Sequence, residues 1–175
     1  MELHHNLKEY RDVDGWINPS DLITLREYAQ KSSGIDGDAI EFGAFHGLSS
    51  LILLGSLPQD KKLISVDIIR YPEFGANIEK YGFGERSIFF DCGFQGYEFG
   101  ENKYSLAFID HNHSYQDNID CFNIVLPNIN SGGFILFHDN GDGWPEVVKS
   151  VKEISETCEN VELIDNGYTA VFRKK

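Results

Sequence analysis

Two groups of residues in this 175-residue chain have the types and spacing that chemistry requires. The first is Glu41-Phe42-Gly43-Ala44-Phe45-His46-Gly47-Leu48-Ser49, with Asp67 following 20 residues after Gly47. Glycines after a strand let the chain turn tightly and let a ligand approach the backbone, and the helix that follows offers free N–H groups. An acid at the end of the next strand can take the two hydroxyls of a ribose. The spacing is GxxxG and lacks the GxGxxG pattern, which speaks against a nicotinamide cofactor. The second group is Asp110-His111-Asn112-His113 together with His138-Asp139-Asn140. If the strands that carry them are neighbours, their ends lie about 5 Å apart. Asp110, Asp139 and Asn140 then converge three oxygens on one point, a donor set that suits Mg2+. His138 is expected to be structural, its ring fixed beside Asp139. The His111-Asn112-His113 pair also has the HxH form of a metallohydrolase ligand pair, but no HxHxDH or HExxH pattern accompanies it.

Elements that would position these residues follow from the apolar pattern. Pro19-Ser20-Asp21 offers a helix start, and Leu22, Ile23, Leu25, Tyr28 and Ala29 give it a face of period 3.6. Strands are then expected at Ala39–Phe42, Lys62–Val66, Ser87–Phe90, Ser105–Ile109 and Phe134–Phe137. Helices alternate with them over Ser49–Ser56, Phe74–Lys80, Gln116–Leu126 and Glu146–Ser155. Strands that are apolar at consecutive positions suit a parallel sheet covered on both faces. Val161–Ile164 and Tyr168–Phe172, separated by Asp165-Asn166-Gly167, read as a closing antiparallel hairpin. The expectation is one α/β domain over residues 1–175, with residues 1–18 peripheral.

Composition limits the partners. With 15 basic and 28 acidic residues the net charge is −13, which disfavours nucleic acid and anionic membrane surfaces. Apolar runs are far shorter than the roughly 20 residues of a membrane span, and the polar N-terminus is unlike a secretion signal. Cys92, Cys121 and Cys158 are odd in number and lack CxxC spacing, as expected of reduced thiols in a cytoplasmic protein. Oligomeric state cannot be read from these features.

The loop EFGAFHGLS resembles the E-x-G-x-x-x-G-x-S loop of class I S-adenosylmethionine-dependent methyltransferases, above all the catechol O-methyltransferase-like branch. The upstream DGWINPSDLITL resembles a Gly-Trp segment of small bacterial methyltransferases, and the likeness covers about Asp14 to Asn140. It implies a Rossmann-like, doubly wound, seven-stranded sheet, mostly parallel with a C-terminal antiparallel hairpin. It implies methyl transfer from S-adenosylmethionine to an oxygen of a small-molecule acceptor, assisted by Mg2+. Within the cofactor loop of Glu41, Gly43, Ala44, Gly47 and Ser49, the resemblance places Glu41, Gly43 and Ser49 along the methionine and ribose side. It gives Asp67 the ribose hydroxyls, sets Asp91 and His111 beside the adenine, and makes Asp110, Asp139 and Asn140 the Mg2+ ligands. His113 stands where the catechol enzymes carry a lysine base, so proton removal is expected of His113 beside Asp110. For Trp16 and Trp144 two readings stay open, walls of the acceptor pocket or packing. Two other classes stay open: a cofactor-binding domain without transfer activity, and a metal-dependent hydrolase.

Overall fold

Strands with so little polar alternation need cover on both faces, and the computed structural model, which describes residues 10–175, supplies it. The sheet comprises β1 (Asp38–Phe42), β2 (Leu63–Asp67), β3 (Ser87–Asp91), β4 (Tyr104–Ile109), β5 (Ile129–Phe137), β6 (Val161–Asn166) and β7 (Ala170–Lys174). Their spatial order is β3-β2-β1-β4-β5-β7-β6. Strands β1 to β5 pair in parallel, and β7 runs antiparallel between β5 and β6. The α-helices of the described residues are α1 (Pro19–Lys31), α2 (Leu48–Ser56), α3 (Pro72–Lys80), α4 (Tyr115–Val125) and α5 (Pro145–Thr157). This is the Rossmann-like, doubly wound sheet with an antiparallel C-terminal hairpin. Among the described residues, no helix is long and apolar enough to cross a membrane.

Two apolar layers hold the helices on. Leu22, Leu25, Tyr28 and Ala29 of α1, Leu51 to Leu54 of α2, and Phe74 and Ile78 of α3 pack on one face of the sheet. Cys121, Phe122 and Val125 of α4 and Val147, Val151 and Ile154 of α5 pack on the other. Strand residues alternate between the layers: Ala39 joins the first, Ile40 and Phe42 the second. Helix α1 starts where Pro19 and the Asn18 side chain cap it, the latter accepting from Ser20 N and Asp21 N.

Several boundaries differ from expectation. Strand β5 begins at Ile129, because Ile129 pairs with Tyr104 while a register shift between Tyr104 and Leu106 absorbs the polar Asn130-Ser131-Gly132 stretch that hid it. Strand β6 continues through Asn166, so β7 starts at Ala170. Of the stretch expected to be peripheral, residues 1–9 lie outside the described residues. Tyr10 and Val13 are buried against α1 and α2 and belong to the core.

The order reverses between β1 and β4, the place where open α/β sheets bind ligands at the carboxyl ends of their strands. Gly43 closes the gap there. Its N–H donates to Val66 O at 2.9 Å, and the N–H of Asp110 donates to Phe42 O at 2.8 Å. Gly43 has φ +92°, and a Cβ at that position would lie 2.0 Å from the carbonyl oxygen of Asp110. Gly43→Ala is therefore expected to lose at least about 2 kcal/mol in urea unfolding. Gly75→Ala, within α3 and with open space around it, should instead gain roughly 0.5–1 kcal/mol in the same measurement.

Candidate active site

The turn after β1 is held from beneath by two acids. Asp67 Oδ2 accepts from Ala44 N at 2.8 Å and Phe45 N at 3.2 Å, and its Oδ1 accepts from Ile69 N at 3.1 Å. The carboxylate thus braces the loop while facing the cavity above it. Phe45 takes φ +44°, and its ring stacks on His46 with centroids 3.7 Å apart. Glu41, expected along the cofactor, lies behind the wall with no exposed surface. Strand periodicity turns it toward α2, where its Oε2 accepts from Ser49 Oγ at 2.9 Å. Its Oε1 accepts from Ser65 Oγ at 2.7 Å and also from Ser50 Oγ. Burial pushes the Glu41 carboxyl up to about 7, against the pull of those three hydroxyls.

The ends of β4 and β5 build an acidic corner. His113 Nε2 is 2.6 Å from Asp139 Oδ2, and the His113 ring stacks on Trp144 at 3.7 Å and 18°. Behind them His138 is buried among three carboxylates: Nδ1 lies 3.1 Å from Asp110 Oδ1 and 3.3 Å from Asp139 Oδ2, and Nε2 lies 3.4 Å from Asp21 Oδ2. Asp21 is tied in by Thr169 Oγ1, which donates to its Oδ1 at 2.9 Å. Burial opposes charge on His138, yet the three carboxylates hold its proton well above the ordinary imidazole range. Burial pushes the Asp110 carboxyl up. Burial has the same tendency at Asp139, but the His138 contacts outweigh it and hold that carboxyl below its usual value. Asp139 itself has φ +59°, a left-handed conformation for a non-glycine residue.

Asn140 is tied to the turn between β6 and β7 through its amide nitrogen and its backbone. Its Nδ2 donates to Asn166 Oδ1 at 3.0 Å and Gly167 O at 2.8 Å, and its N–H donates to Tyr168 O at 2.7 Å. The residue fastens the β6–β7 turn to the end of β5. Among the described histidine, cysteine, aspartate and glutamate side chains, potential ligand atoms converge at Asp110, His113 and Asp139, all within 4.8 Å of one another. Asp110 and Asp139 of the expected Mg2+ set are thus brought together, and the bonds that hold Asn140 use its Nδ2 and not its Oδ1.

Both groups open onto one cavity of about 670 Å³. Gly43, Ala44, Ser49 and Asp67 line one part of it, and Asp110, His111, His113 and Asp139 line another. Trp16, 86% exposed, and Trp144 both lie in the wall. Gly47 is outside the wall. It starts α2 at φ +89°, its Cα facing the Phe74 ring. Asp91 is also outside, exposed at the end of edge strand β3, where Cys92, Gly93, Phe94 and Gln95 supply the wall instead. His111 stacks on Phe94 at 4.9 Å, and burial holds its pKa down to about 4. Its Nδ1 accepts from Asn112 N at 2.5 Å, so the neutral ring carries its proton on Nε2, a buried donor with no partner. Sequence reasoning missed Ser65, Phe94 and the Asp21–His138–Thr169 link. Of these only Ser65 left a signal, as a polar residue within the apolar strand LISVD.

Comparison with known proteins places the chain in a family. Residues 40–140 match the family described as methyltransferase domain. The chain belongs to that methyltransferase family. An uncharacterized protein of Acanthamoeba polyphaga mimivirus is 28% identical over 131 residues, 66% of this chain and 58% of the viral protein. The chain thus spans little more than half the length of that relative. The O-methyltransferase from Bacillus cereus, solved in complex with SAH, superposes with a TM-score of 0.72 at 15% identity, covering 99% of this chain and 89% of that one. The O-methyltransferase TomG from Streptomyces achromogenes, in complex with SAM, gives 0.74 at 15% identity over 99% and 86%. At that identity the likeness concerns the fold, which is that of class I S-adenosylmethionine-dependent methyltransferases.

In this methyltransferase domain the folded chain holds the Glu41 proton up to about pH 7, against an ordinary carboxyl value of 4.5. The folded state then binds more protons than the unfolded state between those values, so stability falls as pH rises through that window. Glu41→Gln is expected to remove that component, up to about 3 kcal/mol, from the difference between urea unfolding at mildly acidic and mildly alkaline pH.

Proposed function

We propose that the chain transfers a methyl group from S-adenosylmethionine to an oxygen of a small neutral or cationic acceptor. The observation that carries this reading is that one cavity is lined both by the glycine loop with Asp67 and by the Asp110–His113–Asp139 corner. The loop offers backbone and Asp67 to the polar part of the cofactor, and the unpartnered His111 Nε2–H offers a donor to its ring system. At the corner, Asp139 accepts from His113 Nε2–H, which fixes the tautomer and leaves Nδ1 to take a proton. The acceptor oxygen forms its bond to the methyl carbon as the sulfur–methyl bond breaks, and its proton passes to His113. S-adenosylhomocysteine leaves as a neutral thioether. Stacking on Trp144 limits the tilt of the His113 ring, and holding both partners in line supplies much of the rate.

Charge favours that acceptor class. Asp67, Asp110, Asp117 and Asp139 line the cavity, and among the described residues no lysine or arginine lines it. Carboxylates attract a sulfonium cation and stabilise the imidazolium that forms on His113. An anionic acceptor would find only the His138 ring, already surrounded by three carboxylates.

Titration calorimetry should show S-adenosylhomocysteine binding that NADH does not compete for. Asp67→Ala should weaken it by roughly 1–3 kcal/mol, since both a ligand contact and the brace under Ala44 and Phe45 are lost. With methyl-labelled S-adenosylmethionine and a panel of small phenols and amino alcohols, His113→Ala should lower kcat by about 10²–10⁴-fold and leave cofactor affinity nearly unchanged. Absence of saturable binding at millimolar ligand overturns the reading.

A further inference from the structure

Behind the acidic corner lies a buried histidine that takes no part in the transfer itself. His138 Nδ1 lies 3.1 Å from Asp110 Oδ1 and 3.3 Å from Asp139 Oδ2, and its Nε2 lies 3.4 Å from Asp21 Oδ2. We propose that His138 and Asp21 are positioning residues for methyl transfer that fix Asp139 and through it the His113 ring, a role that rests on the reading of His113 as the proton acceptor.

A single oxygen joins the two histidines. Asp139 Oδ2 lies 2.6 Å from His113 Nε2 and 3.3 Å from His138 Nδ1. Two imidazole nitrogens on one atom leave the carboxylate little freedom to turn. Asp110 and Asp139 would otherwise repel each other, and a donor shared between them sets their separation. That donor serves in one ring orientation only. A half-turn of His138 about its Cβ–Cγ bond would put a carbon where each nitrogen stands, and both carboxylates would lose it.

Asp21 opposes that half-turn. Its Oδ2 and His138 Nε2 are both buried without a hydrogen-bond partner elsewhere, so each has only the other to face. Asp21 is itself fixed on two sides. Thr169 Oγ1 donates to its Oδ1 at 2.9 Å, and its backbone N–H donates to Asn18 Oδ1 at 3.2 Å in the cap of α1. Gly15, Trp16 and Ile17, just upstream of that cap, line the cavity, so wall and corner share one anchor. A buried acid that orients a histidine is a known device for holding a proton acceptor in register. Here it acts one side chain further from the reaction, through Asp139.

Kinetics with methyl-labelled S-adenosylmethionine and the panel of phenols and amino alcohols test this role. His138→Leu should lower kcat by about 100-fold, the scale of a small misplacement of reacting groups. His138→Asn, whose amide nitrogen stands near the place of Nδ1, should recover about tenfold of that loss. Asp21→Asn should lower kcat by about tenfold, and S-adenosylhomocysteine affinity should stay within about threefold in all three. Ile154→Ala, which thins the apolar layer on the other face of the sheet, should lower the melting temperature and leave kcat within about twofold. Full kcat in His138→Leu or Asp21→Asn, no recovery in His138→Asn, or a kcat that falls with the melting temperature in Ile154→Ala overturns the proposal. Circular dichroism shows which variants are folded, and if His138→Leu is not, Asp21→Asn decides. Histidine 15N NMR supplies a readout that needs no turnover. At mildly alkaline pH the His113 ring, assigned by its loss in His113→Ala, is expected as the single Nε2–H tautomer, and in Asp21→Asn as a mixture of both. A chain that transfers no methyl group counts against the proposed function, while the tautomers still decide the positioning role: an identical His113 signal in Asp21→Asn overturns it.

Discussion

Where β1 ends, the Cα of Gly43 faces the Asp110 carbonyl so closely that a Cβ would sit 2.0 Å from its oxygen. That approach sets how the cofactor loop and the acidic corner share one cavity. Gly43 N reaches back to β2 through Val66 O, and Asp110 N reaches back to β1 through Phe42 O. Three neighbouring strand ends are thus joined by backbone alone, without dependence on a side chain that can change rotamer. Asp67 then ties the loop to β2 by accepting from two successive N–H groups. A ligand lying across this switch point meets a surface fixed by main-chain geometry, which is what precise orientation of two reactants requires.

Buried charge is the second organising constraint. Four acids, Asp21, Glu41, Asp110 and Asp139, crowd the carboxyl end of the sheet, and the fold meets their cost in two ways. Glu41 receives three serine hydroxyls, and burial raises its pKa to about 7, which keeps part of its population neutral near physiological pH. Asp21, Asp110 and Asp139 instead surround His138. The result is a corner whose outer face, Asp139 with His113, is ready for a proton or a cation, while its inner face is already paired. Function at this end depends on that division, because an acid satisfied from behind keeps its remaining oxygen capacity for what enters the cavity.

Parallel pairing and the terminal hairpin were legible because they follow from local signals, apolar runs alternating with helices and Asn-Gly between two short strands, while the doubly wound seven-stranded order came from the resemblance. The glycine loop and the strand-end acids were legible for the same reason, since topology alone brings strand ends together. Side-chain direction was not. Glu41 reads as a pocket residue until strand alternation and Ser49, Ser50 and Ser65 turn it into the layer beneath α2. Asn140 reads as an oxygen donor, and the β6–β7 turn holds its Nδ2 through a contact spanning 26 residues to Asn166 that no local pattern encodes. The same long-range character hid the link from Asp21 to Thr169, 148 residues apart. His113 was singled out for its departure from a lysine, and its pairing with Asp139 and Trp144 gives that departure a physical setting.

The central claim is that one cavity carries a cofactor on the glycine loop and an acceptor oxygen at the His113–Asp139 corner. A crystal structure with S-adenosylhomocysteine and a bound hydroxyl compound tests it most directly. The expected result places the ribose against Asp67, the ring system beside His111, and the acceptor oxygen within hydrogen-bond reach of His113, in line with the sulfur. A ligand seated outside the cavity, or an acceptor oxygen bound away from His113 with that ring still closed on Asp139, would contradict it.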